Sequence, residues 1–219
     1  MRPSIRPPAD RVATFDPSAL TPPERARLLT RLIAPRPIAV VSTMDDAGRG
    51  NLAPFSFFAP GGSAPWSCVF SATRDRHGHG KHTLANIRAT REYVICAATQ
   101  SIATRINDAS FEYPVEVDEL TAVGFTPVAS TLVAPPRIAE SPVALECRLH
   151  QVVPHGEGPG SASYIIGEIL MVHVDEAVLV EGLPDERLMH LVARMGADRW
   201  SRVDPSVIFD LPRPTTPLR

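Results

Sequence analysis

Cysteine is scarce in this chain: Cys68, Cys96 and Cys147 are odd in number and far apart. They build neither a disulfide framework nor a zinc spacing, and each reads as a small buried hydrophobe. A surplus of charge is missing too. The formal net charge is −2 and the pI is near 6.4, which argues against nucleic-acid binding, because that needs a concentrated basic surface. No apolar run approaches the length that spans a bilayer, so no membrane is expected. The first twenty residues carry basic side chains but no apolar segment, so no secretory signal is expected and the expected location is the cytoplasm. No Gly-x-Gly-x-x-Gly follows a strand and no Gly-x-Ser-x-Gly occurs. A Rossmann domain and a serine-hydrolase elbow are thereby set aside.

What is present is ordinary for a soluble globular chain. Hydrophobic residues make up 44% and charged residues 21% of 219, enough to bury a core without staples. Residues 1–23 hold six prolines and no periodicity. We expect an extended arm over 1–22, one domain over 23–211 and a polar tail over 212–219. Leu28, Leu29 and Leu32 share one face of a short helix predicted at 23–34. Strands are predicted at 38–44, 51–59, 66–73, 92–98, 143–153 and 164–179, and helices at 83–90, with Thr83 as N-cap, and at 185–196. Short helices and turns are expected over 101–126, and a proline-rich connection over 127–142. Strands outnumber helices, and no βαβ alternation appears. A mainly β protein follows: an antiparallel barrel with added short helices.

One hairpin raises a question. Ile38 to Met44 is rich in β-branched residues, and Asp45 to Gly50 supplies a turn. The returning arm, Asn51 to Ala59, keeps polar Asn51 and Ser56 among its phenylalanines. It also keeps Pro54, which cannot donate a ladder hydrogen bond and belongs at an edge or a bulge. Such an arm reads as the wall of a ligand site.

Three other stretches bear on chemistry. His77, His79 and His82 are close in sequence but sit in a glycine-bearing loop without Cys or carboxylate at familiar metal spacing, so no metal is expected. The run Gly78 to Thr83 fails as a P-loop, with Asp75 where the first glycine belongs and His82 where the hydroxyl belongs. Lys81 and Thr83 at the start of a helix, with Arg74 and Arg76 upstream, nevertheless make an anion-attracting terminus. Glu112, Glu116, Asp118 and Glu119 read as a solvated acidic face.

The order of the motifs says more than any single one. Arg36-Pro37-Ile38-Ala39, Val41-Ser42-Thr43, Asn51 to Phe58, Lys81 to Ile87 and Arg194-Met195-Gly196 together resemble the flavin reductase-like family of FMN-binding split-barrel proteins, over about residues 22–211. The resemblance implies a Greek-key antiparallel split barrel that dimerises, with FMN near the subunit interface. Carried over position by position, it implies that Ala53, Pro54, Phe55 and Ser56 line the isoalloxazine. Ser71, Arg74, Lys81 and Thr83 fall around the ribityl phosphate. Thr43 and Asn51 flank the pocket, Asn86 fixes the loop, and Arg36 lies at the flavin or the barrel mouth. The chain departs from the family pattern at His82, where aspartate is usual. Trp200 stands in for a later tyrosine.

The implied activity is an NAD(P)H-dependent FMN oxidoreductase. NADH or NADPH would pass a hydride to flavin N5, and no protein acid or base is required. A monooxygenase is a possible recipient of the reduced flavin. A non-catalytic FMN carrier or sensor is the alternative, and a haem- or pyridoxal-phosphate-binding relative is disfavoured by the Asn51 to Ser56 arm.

Overall fold

A computed structural model of the chain describes residues 11–215; positions 1–10 of the expected arm and 216–219 of the expected tail lie outside it. The helices are α1 (Pro22–Leu32), α2 (His82–Thr90), α3 (Ala103–Asp108) and α4 (Glu119–Ala122). The first strands are β1 (Arg36–Pro37), β2 (Ala39–Met44), β3 (Gly50–Phe55), β4 (Phe58–Ser63), β5 (Trp66–Thr73) and β6 (Glu92–Ala97). Next come β7 (Pro127–Val128), β8 (Arg137–Ile138), β9 (Val143–His155) and β10 (Ala162–Val174). The last are β11 (Leu179–Val180), β12 (Leu183–Pro184), β13 (Val192–Arg194) and β14 (Trp200–Arg202).

Seven strands form one antiparallel sheet in the order β3-β2-β6-β9-β10-β5-β4. Its two edge strands, β3 and β4, are consecutive in the chain. The backbone passes from one edge to the other through Ser56 and Phe57, and the Phe57 carbonyl accepts from the Ser71 amide at 2.9 Å. The curled sheet is thereby closed at a corner rather than by a continuous ladder. This is a Greek-key split barrel.

Alternation within β2 explains why residues 38–44 read as an unbroken apolar run. Ala39 and Val41 pack with Phe55, Phe70, Tyr93, Ile95, Cys147 and Ile165 inside the barrel, joined by Leu84 and Ile87 of α2. Val40 points the other way, with Leu52, Val94, Cys96 and Ala144, against Ile102, Ile106, Leu120 and Phe125. Both faces are buried there, so no polar alternation survives.

All three cysteines are free and buried. Tyr93 is fully buried, and its ring meets Phe70 edge-on at 5.7 Å between centroids. Its hydroxyl has no hydrogen-bond partner, with the thiols of Cys68 and Cys147 as polar neighbours. Gly167 makes room for it: a Cβ there would lie 1.7 Å from Tyr93 Oη.

Several expectations are corrected. The 51–59 run is two strands on opposite sheet edges, not one. Helix α1 forms where predicted, within two residues. Its apolar face is not buried, however: Leu29 and Leu32 are exposed and Leu28 is half-buried. Residues 185–196 are turns followed by β13, not a helix. Cross-strand pairing of β13 with β1 and β14, and the bridge from Leu191 to Thr99, override the weak helical period. The connection 127–142 contains the short β7–β8 ladder. Residues 176–178 form a short 3-10 turn where the long strand was expected to continue.

Glu146 occupies a core position on β9 and has no exposed surface. Its carboxylate accepts from the Thr131 and Leu132 amides at 2.7 and 2.6 Å and meets His173 Nε2 at 2.6 Å. Burial without those partners would be prohibitive.

Candidate active site

Edge strand β3 and the start of α2 face each other across a cavity of about 310 Å³. One wall is Asn51 to Phe55, and the opposite wall is His79 to Thr83. Residues Ala109 to Tyr113, Asp75 and Glu119 complete the lining.

Two local features fix the cationic wall. Asp75 Oδ1 accepts from the amides of His77 and His79, both at 2.8 Å, which holds the glycine-bearing loop in shape without a ligand. The helix then starts with Lys81 as N-cap, and no side chain caps it. Thr83 is therefore not the cap, as the sequence suggested, but lies inside the first turn and is buried. The open N-terminus keeps its positive end of the helix dipole toward the cavity, beside the Lys81 ammonium. Lys81 Nζ is 3.7 Å from Glu112 Oε1, a solvent-exposed pair of little strength.

A buried polar network ties the two walls together. Asn51 Nδ2 donates to Thr43 Oγ1 at 3.2 Å and to Thr83 Oγ1 at 3.0 Å, and Asn86 Nδ2 donates to Thr43 Oγ1 at 3.1 Å. Asparagine thus belongs at the head of the apolar arm because it anchors α2. Pro54 has an equally local reason. The Leu52 amide points off the sheet edge, where it donates to Glu119 Oε2 at 3.2 Å. Residues two apart in a strand face the same way, so the amide of residue 54 would also point off the edge. Proline there costs the ladder nothing.

Glu119 is the residue that sequence reasoning missed. The sequence pattern puts it on a solvated acidic face, yet it is 6% exposed and lines the cavity. Burial raises its carboxyl above the ordinary glutamate value, against the pull of its own amide, the Leu52 amide and nearby His82. No local pattern marks it, since packing of α4 against β3 buries it. Asp118 beside it plays a conventional part, accepting from the Leu120 amide to cap α4.

Of the predicted site residues, Asn51, Ala53, Pro54, Phe55, Lys81 and Thr83 line this one cavity. Thr43 lies behind it in the network. Ser56, Ser71 and Arg74 are not part of its lining; Arg74 Nη1 donates to the Gly78 carbonyl at 2.8 Å. Arg36 is buried and serves the scaffold. It donates to the carbonyls of Thr30, Ile33 and Met195 and reaches Ser56 Oγ at 3.4 Å. Gly196 beside Met195 leaves room for Arg31, whose Cγ would lie 2.4 Å from a Cβ there. Among the described residues, no three His, Cys, Asp or Glu side chains gather as a metal ion needs, and no helix is long and apolar enough to cross a membrane.

The fold is thus a split barrel whose edge strand confronts a helix terminus headed by a lysine and capped by no side chain. Comparison with known proteins gives the family. Residues 31–192 match the model of the flavin reductase like domain. An uncharacterized protein of Halalkalibacterium halodurans is 32% identical over 203 residues, covering 92% of this chain and 96% of the relative. Among solved structures, nitrilotriacetate monooxygenase component B from Bacillus cereus superposes with a TM-score of 0.86 at 25% identity, covering 91% of this chain and 98% of that one. The 2-nitrobenzoate 2-nitroreductase of Pseudomonas fluorescens gives 0.84 at 27% identity, covering 94% and 99%. The chain belongs to the flavin reductase-like family, and its relationships are with flavin-related oxidoreductases.

Proposed function

We propose that the protein is an NAD(P)H-dependent oxidoreductase that binds FMN in the cavity between β3 and α2. The observation that carries this reading is the pairing of an apolar strand edge with an open helix terminus headed by Lys81. A phosphate monoester needs cationic and N–H donors together, and that terminus offers both. The apolar wall of Ala53, Pro54 and Phe55 suits a flat ring system.

The residues present fit FMN, and their work is binding and positioning. Lys81 and the first amides of α2 would hold the phosphate. Thr83, Asn51, Thr43 and Asn86 fix that helix against β3 so that the two ends of the ligand keep their spacing. Phe55, set against Phe70 at 4.9 Å between ring centroids, makes the ring wall rigid and dry. Bound FMN supplies a hydride acceptor at N5. In this reading Ser56, Ser71, Arg74 and Arg36 support the cavity from outside its lining.

The protein acts as a homodimer in this proposal. Supporting it, α1 buries no residue, and its Leu29 and Leu32 are exposed together with Ile33 just after it, apolar surface that a second copy would cover. Reduced flavin would serve an acceptor such as a monooxygenase component. A cytoplasmic location suits three unpaired thiols.

The test is spectroscopic. Purified protein given FMN should show a perturbed flavin spectrum, and anaerobic NADH or NADPH should bleach it. Bleaching by neither nucleotide, with FMN firmly bound, would favour a non-catalytic flavin carrier. Failure to bind FMN would end both readings.

A further inference from the structure

Glu119 is the feature of the cavity that the reading above leaves unused. It is nine-tenths buried, and Oε2 is engaged by the Leu52 amide. The carboxyl group is also drawn by its own amide, and neither of its oxygens is an enclosed atom without a partner, so its remaining acceptor capacity is what the cavity wall offers. Lys81, the one ammonium lining the cavity, is within ion-pair distance of Glu112 and not of Glu119. A carboxyl group carries about four lone-pair sites, more than two amides use, and one set in a cavity wall presents the rest to whatever fills the cavity, so a polar group of the ligand is the natural complement.

Its place along the cavity says which group. On one side stands the apolar strand edge, Ala53 to Phe55, and on the other the helix start, Lys81 to Thr83. Glu119 holds Leu52, the residue just before the first, and lies within electrostatic reach of the second through His82. A flavin nucleotide lying between those walls has its ring at one end and its phosphate at the other. The segment between them is the ribityl chain, a run of hydroxyl groups.

On the basis of the flavin reading, we infer that Glu119 is a specificity residue that hydrogen-bonds a hydroxyl of the ligand's polyol chain. A hydroxyl suits this carboxyl in either protonation state, because it both donates and accepts. The residue therefore selects for a flavin bearing its polyol and contributes nothing to recognition of the bare ring.

Three flavins separate the parts. Lumiflavin has the ring alone, riboflavin adds the polyol, and FMN adds the phosphate. With Glu119→Leu, riboflavin and FMN should each lose about tenfold or more in affinity, and lumiflavin should change little. Glu119→Gln keeps an acceptor for the Leu52 amide and a polar group for the hydroxyl, so it should restore most of the loss. Equal weakening of all three ligands, or no weakening of riboflavin, would overturn the inference while leaving the flavin site standing. Should Glu119→Leu not fold, the wild-type protein decides the matter. Riboflavin binding about tenfold tighter than lumiflavin supports the polyol contact, and equal affinities refute it. Wild-type protein that binds none of the three refutes the flavin reading itself.

Discussion

Asn51 Nδ2 donates to Thr83 Oγ1 at 3.0 Å, joining the edge strand of the barrel to the first turn of the helix that faces it. Both residues are buried. The same amide reaches Thr43, so a single side chain sets the separation of the cavity's two walls.

Thr83→Val tests that tie with almost no change of shape. It removes the acceptor and leaves the Asn51 amide with one partner. A loss of about 1–3 kcal/mol is expected, because a buried donor is left half-satisfied. Thermal melting measures this cost, and flavin titration should show weaker FMN binding as α2 loosens. Unchanged melting and unchanged binding would show that the network is not what spaces the walls.

Gly167 and Tyr93 give a packing prediction away from the site. An alanine Cβ at position 167 would sit 1.7 Å from Tyr93 Oη and 2.7 Å from Cζ. Neither group has room to retreat, since Tyr93 is fully enclosed. Gly167→Ala should destabilise by about 3 kcal/mol or more, as overpacked cores do. Adding Tyr93→Phe removes the nearer atom but not the ring carbon, so only part of the stability should return. Urea denaturation of the two single variants and the double variant measures that coupling.

The Glu146–His173 contact predicts a pH dependence. Burial pushes the Glu146 carboxyl up, but the amides of Thr131 and Leu132 and the His173 ring outweigh it, and the net shift is downward from 4.5. A carboxyl with a lower pKa folded than unfolded binds fewer protons in the native state. Its contribution is therefore present above about pH 4.5 and lost as the pH falls through the folded value. Glu146→Gln should cost about 2–4 kcal/mol at pH 7 and progressively less toward pH 3. Denaturant midpoints of the two proteins across that range check the sign. A gap that stays constant or widens on acidification would contradict it.

The legible and illegible parts of the chain differ for physical reasons. Strand β2, Ala39–Met44, could be read in the run from Ile38 because β-branched residues and the following turn of Asp45, Asp46 and Gly48 act locally. Pro54 could be read as an edge residue because a missing N–H has the same consequence in any sheet. Glu119 could not be read, since its burial depends on α4 meeting β3 across a long stretch of chain. The 185–196 segment misled for the same reason: its apolar spacing suits a helix, but β1 was waiting as a strand partner. Thr83 lines the cavity but does not do what the local sequence suggests: its hydroxyl does not cap the helix, and accepts instead from a residue 32 positions earlier.

Lys81 carries the sharpest prediction for the proposed ligand. It heads α2 at the cavity, where a helix terminus without a side-chain cap already favours an anion. Its present contact with Glu112 at 3.7 Å is an exposed pair and would yield readily to a phosphate. A charge-assisted hydrogen bond to phosphate contributes about 1.5–3 kcal/mol, so Lys81→Ala should weaken FMN about ten- to a hundredfold. Riboflavin lacks the phosphate and should lose little. The fold should survive, because the side chain is 39% exposed and supports no core. His82→Asp probes the same terminus from the neighbouring position: a carboxylate there would order the first turn but oppose the phosphate, so a change within several-fold is expected. Parallel fluorescence titrations of FMN and riboflavin against wild type and both variants decide the matter. Equal losses of the two flavins in Lys81→Ala would mean that the lysine shapes the loop and that the phosphate lies elsewhere.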